Sequence, residues 1–187
     1  MAKIIGGSEF VSACRGIRMK IAKILAAIVV AGIGICVHSA GADTIAYSTN
    51  NLTGNQTYAG NLGLDFNVIS AIQITSVGVY DDSANGIATP IRVGIFRRLP
   101  GGNPNTDHAG VVIASTVQTI SGSGDPLIDG YRFRTLPGTV YLTPGFYTID
   151  TVGFGGANFN GNENIASPPF SVSTDSGGGL IQFVGTG

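Results

Sequence analysis

Residues 43–187 predict an all-β fold, an antiparallel β-sandwich of jelly-roll type with about seven or eight short strands. Three observations carry that expectation. The region is rich in Gly, Thr, Ser, Asn and β-branched residues. It contains no long stretch with the apolar spacing of a helix. Turn signals built from Pro, Gly and Asn interrupt it at intervals of about ten residues.

Leu62, Leu64, Phe66 and Val68 alternate with Gly63, Asp65 and Asn67, the period-two pattern of a strand with one buried face. From Ala71 to Tyr80 the parity changes, since Ile72 and Ile74 share one face and Val77 and Val79 the other. That requires a bulge near Thr75–Ser76 or burial on both faces. Ile91, Val93 and Ile95 give the next strand, and Val111, Ile113, Ser115 and Val117 another, after a Pro- and Gly-bearing loop from Leu99 to Thr106. Tyr131, Phe133 and Thr135 point one way while Arg132 and Arg134 point the other, towards solvent or a partner. Pro137–Gly138 turns the chain, Val140 and Leu142 form a short strand, and Pro144–Gly145 turns it again so that Phe146–Val152 returns as a hairpin partner. A Gly- and Asn-rich loop, 153–179, has little core-forming content and precedes a closing strand, Leu180–Val184.

Upstream of this domain the pattern differs. Arg15, Arg18, Lys20 and Lys23 lead into an apolar run of 14 residues, Ile24–Val37, which ends at Ala40-Gly41-Ala42. A basic start, a short apolar stretch and an Ala-x-Ala site form a secretory signal, here helical and spanning 1–42, and a membrane-crossing helix needs about 20 residues. Met19 opens a signal of ordinary length by itself, so residues 1–18 read as an over-extended start. The mature protein is then secreted, extracellular or periplasmic, with no permanent membrane span. Both cysteines, Cys14 and Cys36, lie in the removed part, so the exported domain has no disulfide and is held by packing.

After residue 42 the cations are five arginines (Arg92, Arg97, Arg98, Arg132, Arg134), set against ten acids and without a lysine. That balance excludes an extended phosphate-binding surface and with it nucleic acid. It also excludes a Walker loop. One histidine, His108, and no cysteine leave zinc or haem chemistry without ligands, and no Gly-x-Ser-x-Gly elbow occurs. Arg97–Arg98 reads as a solvated strand end.

The segments Ile74–Thr89, Arg92–Phe96, Gly110–Val117, Leu127–Phe133 and Val140–Ile149 (Val-Tyr-Leu-Thr-Pro-Gly-Phe-Tyr-Thr-Ile) follow one another in an order and with turn placements that resemble a known module. It is similar to a secreted bacterial β-sandwich domain found in exoproteins of the PEP-CTERM type, over about residues 64–153. The resemblance implies a place at the cell surface or in an exopolysaccharide matrix more than it implies an activity. The sorting signature of Pro-Glu-Pro, a second apolar span and a basic tail does not follow Gly179. Free release and a longer parent chain both remain open.

Asp81, Ser83 and Asn85 occupy positions one, three and five of a loop with Gly86 at six, a spacing that aims several oxygens at one hard cation such as calcium. An EF-hand would need an acid at the twelfth position, where Arg92 stands, and the same residues equally describe a polar turn. Asp125 and Asp129 form a second acidic loop that could join this site if the fold brings it near. Tyr47, Tyr58 and Phe159, in loops, are candidates for stacking on a sugar ring, whereas Tyr80, Tyr131, Tyr141 and Phe133 read as core. Glycan hydrolysis needs only two carboxyls, and Glu163 and nine aspartates are present in the mature region.

No catalytic set emerges, and the expectation is a non-enzymatic exported module with a structural or adhesive role in the envelope or matrix. Its rivals are a carbohydrate-binding module, calcium-dependent or not, meeting polysaccharide through loops such as 153–164, and a glycan hydrolase. Other matrix proteins, or further copies joined through exposed strand edges, are the remaining expected partners.

Overall fold

The computed structural model describes residues 2–7, 44–49, 53–99, 109–161 and 172–184. The apolar run Ile24–Val37, the cleavage triplet, both cysteines, Met19, His108 and Glu163 lie outside the described residues.

The strands, in chain order, are β1 (Ala2–Gly7), β2 (Thr44–Ile45), β3 (Tyr47–Thr49), β4 (Leu62–Val68), β5 (Ile72–Tyr80), β6 (Ile87–Arg98), β7 (Ala109–Val112), β8 (Gln118–Gly122), β9 (Leu127–Ile128), β10 (Tyr131–Leu142), β11 (Gly145–Val152), β12 (Val172–Thr174) and β13 (Ile181–Phe183). One antiparallel sheet has the order β2-β1-β5-β10-β9, and the other β13-β4-β11-β6-β7 with β8 also on β6. β3 and β12 form a small ribbon. The protein is an all-β sandwich, as its sequence predicts.

The inner faces explain the pairing. Ile74, Val77, Val79 and Leu142 of the first sheet join Leu64, Phe66, Val93, Ile95, Tyr147 and Ile149 of the second in one buried cluster. In the second sheet Tyr147 faces Phe66 and Ile149 faces both Leu64 and Ile95, so every second residue of three strands shares one side. Tyr47, Tyr80, Tyr131 and Phe133 close one end as a chain of edge-on and tilted rings, with the Tyr80 and Tyr131 centroids 5.6 Å apart.

β4 spans the residues that alternation marks. In β5 the two alternatives coexist. Both of its neighbours skip Thr75, passing from Ser76 to Ile74, and residues Ser76–Tyr80 are all buried.

Four local expectations are corrected. Pro137–Gly138 does not end a strand: β10 runs through it, with a register shift between Thr135 and Val140 that absorbs the extra residues as a bulge. Pro144–Gly145 does not make a hairpin either, because β10 pairs in the first sheet and β11 in the second. Thr143–Pro144 is a corner between sheets, pinned by the Tyr147 hydroxyl donating to the Thr143 carbonyl at 2.8 Å. The strand expected over Val111–Val117 breaks into β7, a 3₁₀ turn at Ala114–Thr116 and β8. Finally, Tyr141 is 60% exposed and outside the core.

The segment expected to leave with the leader also takes part. β1 lies antiparallel to β5, from Ala2 opposite Val79 to Gly7 opposite Gln73, and β2 joins the sheet only through β1.

Candidate functional site

The loop Asp81–Gly86 turns through a kinked 3₁₀ segment at Asp82–Ala84, with Ser83, Ala84 and Gly86 all at positive φ. Such backbone suits Gly86, at φ 98°, and puts strain on Ser83 and Ala84. What fixes it is Asp81, fully buried, whose two carboxylate oxygens accept from the Gly86 N–H at 3.0 and 3.1 Å.

The same carboxylate accepts from Arg132 Nε at 2.7 Å. Arg132 does not face solvent. Its guanidinium also donates to the carbonyls of Ser123 and Asp125, each at 3.0 Å, and reaches towards that of Ala84 at 3.4 Å. The fold therefore does bring the second acidic loop to Asp81, and it does so around an arginine. Asp125 spends its side chain on Arg134, with the two oxygens at 3.1 and 2.6 Å from Nε and Nη2. Burial first, and then the charges of Asp82 and Asp81, push the neighbouring Tyr80 hydroxyl far above its ordinary range.

This arrangement bears on the expected calcium ligands. Asp81 points inwards, while Ser83 and Asn85 are exposed and the Ser83 hydroxyl sits 3.2 Å from both Asp82 Oδ1 and Thr53 Oγ1. The Asp81 carboxylate is already engaged by the Gly86 N–H and by the Arg132 guanidinium. Among the described residues no group of three or more His, Cys, Asp or Glu side chains is placed to hold a metal.

The sugar-stacking candidates fare unequally. Tyr47 is buried, edge-on to Tyr131 and Phe183, and offers no free ring. Phe159 is half-buried. Tyr58 is 55% exposed. The loop that carries Phe159 is no open tip, because Phe154 and Asn158 are buried in it. Asn158 Oδ1 accepts from Ala88 N–H at 2.7 Å, and its Nδ2 donates to the Thr89 carbonyl at 2.8 Å. Asn160 Nδ2 donates to Gln56 Oε1 at 2.9 Å. The described part of the loop thus spends its amides on the backbone and side chains of its own domain.

Sequence reasoning missed the outer face of the second sheet. There Arg98, 5% exposed, lies across three strands: Nε donates to the Tyr147 carbonyl at 3.1 Å, Nη2 to Asn67 Oδ1 at 3.1 Å, and Nη1 pairs with Asp65 at 3.0 Å. It is a buried anchor and no solvated strand end.

Beside it a groove of about 260 Å³ runs over the paired strands β6 and β11, bordered by Val112 and Val117. Its floor is Gly94, where a side chain would meet Val117 Cγ2 at 3.1 Å, so the bare backbone is what leaves the floor low. Phe96, Val112, Val117 and Val152 give apolar walls, and Asn61, Arg92 and Asp150 give the polar rim. Asp150 stands opposite Gly94 and Val152 opposite Arg92, which places the acid and the base diagonally on adjacent strands.

Asp150 is the one carboxylate lining this groove, and its hydrogen bond is a 2.8 Å donation from the N–H of its own neighbour, Thr151. Burial raises its pKa above the ordinary carboxylate value, and that N–H offsets only part of the rise. No ion pair within 4 Å joins it to Arg92. The signal that could have found this site is the mixture of polar Arg92, Thr148 and Asp150 with Gly94, Phe96 and Val152 at alternate positions of β6 and β11. Alternation alone reads these as a solvated face.

Among the described residues no helix is long and apolar enough to cross a membrane. No protein-family model, curated protein or solved structure matches this chain.

Proposed function

We propose that this chain is an exported, non-enzymatic module of the cell surface or extracellular matrix, and that it adheres by binding carbohydrate in the groove over β6 and β11. The observation that carries the reading is Asp150: a half-buried carboxylate with one local hydrogen bond, set at a groove rim with an exposed Arg92 and Asn61. A group in that state gains from a ligand that donates to it. Vicinal hydroxyls of a sugar supply two donors to a carboxylate and accept from a guanidinium, while Phe96 and the valine walls meet the apolar face of the ring.

The leader pattern, the missing lysines and the net negative charge of the mature region support an extracellular place and a neutral or weakly charged partner. Hydrolysis is the weaker reading, because it needs two carboxyls and Asp65, the other acid of this face, is tied to Arg98. Binding of the purified protein to immobilised neutral and acidic polysaccharides tests the proposal, with Asp150→Asn and Arg92→Ala alongside. Retention that both substitutions weaken at least tenfold, with no loss of Tm, supports it. Retention indifferent to both, or turnover of the glycan, overturns it.

A further inference from the structure

The first sheet carries a strand that both sequence readings of the N-terminus take away. Cleavage after Ala42 removes β1, and so does translation from Met19. What remains is β5 with its outer side uncovered, since β1 lies between it and β2, and Thr44–Ile45 reach the sheet only through Ile5 and Gly6.

That edge is unlike the edges proteins ordinarily leave open. Ile72–Tyr80 is nine residues long and holds no charge and no proline. Exposed edges are usually short, or guarded by lysine, proline or an inward charge, because a free row of N–H and C=O groups pairs with any extended chain. The bulge at Thr75 is the only such device in β5. In the structure, β1 shows that the edge takes an antiparallel strand over six residues.

We propose that loss of the leader opens this edge and that a second copy of the chain pairs there through its own β5, giving one sheet continuous across a two-fold axis. A strand laid antiparallel on its own copy is self-complementary: each donor of one meets an acceptor of the other, and with no charge on either strand nothing repels. Ala2–Gly7 is then a cap held in cis, covering the edge as long as it stays attached. The inference rests on removal of residues 1–42 and is independent of the groove, which lies in the other sheet.

The test compares the unprocessed full chain with the chain recovered after export by a bacterial host, the N-terminus of each read by sequencing. Sedimentation over a hundredfold range of concentration should give the full chain as a monomer and the exported chain at twice its own mass. Those amides of Gln73–Val79 that point away from β10 should be protected from hydrogen exchange in that dimer and lose protection on dilution to monomer. A monomeric exported chain, a dimer that the full chain forms equally well, or a dimer whose β5 amides exchange as in the monomer overturns the proposal. Sequencing that finds Ala2–Gly7 still attached after export overturns it too, and identifies the leader reading as the failing step.

Discussion

Asp81 and Arg132 meet at 2.7 Å inside the sandwich, the carboxylate fully buried and the guanidinium side chain 9% exposed. Around this pair, on β10 and at the end of β5, two loops separated by about forty residues are tied together by hydrogen bonds to three carbonyls and one N–H. A buried pair is weak evidence for net stability, but breaking one leaves an uncompensated charge.

Arg132→Met and Asp81→Ala are each expected to destabilise the fold by about 3–5 kcal/mol in urea unfolding. The double replacement should cost clearly less than the sum of the two. Costs that simply add would mean that the two side chains do not act as a pair.

Calcium is expected to leave Tm unchanged, because a cation at Asp81 would have to displace Arg132. The measurement is thermal unfolding in millimolar calcium against chelator. A rise in calcium that vanishes in Asp81→Ala would contradict this and restore the loop as a metal site.

Asp150 gives a pH signature. Its folded pKa lies above the unfolded value near 3.8, so the fold prefers the neutral acid. The cost of holding the charged form is complete above the folded pKa, and it is relieved as pH falls through that value towards the unfolded one. Asp150→Asn should therefore raise Tm at pH 7, by a gain that shrinks on acidification through the carboxylate range. An equal or larger gain at low pH would sink this account of the groove's acid.

Asn158→Ala should cost about 1–3 kcal/mol, since it leaves the Ala88 N–H and the Thr89 carbonyl without their partner. The readout is the urea midpoint at unchanged slope. A neutral result would show that the Gly- and Asn-rich loop is not held as the structure draws it.

The parts of the fold legible in the sequence are those where one physical signal has one meaning. Alternation from Leu62 to Val68 can only be a strand with one dry face, and the parity change in β5 can only be a bulge or double burial. Pro-Gly pairs are different, because a bulge inside β10, a hairpin and a corner between sheets use the same residues, and only the partners of β11 decide. The arginines misled for a related reason. Arg98 and Arg132 sit at alternating positions that look solvated, and their burial depends on Asp65 and Asp81, distant in sequence. The groove was illegible because Asn61, Phe96, Val117 and Asp150 come from four separate segments.

The central claim is that carbohydrate binds over β6 and β11, and amide shift mapping of the labelled protein during titration with a bound polysaccharide tests it most directly. The account predicts shifts at Gly94, Phe96, Asp150 and Val152 that disappear in Asp150→Asn. Shifts gathered instead around Tyr58 and the neighbouring loop, or no shifts with any polysaccharide, would contradict it.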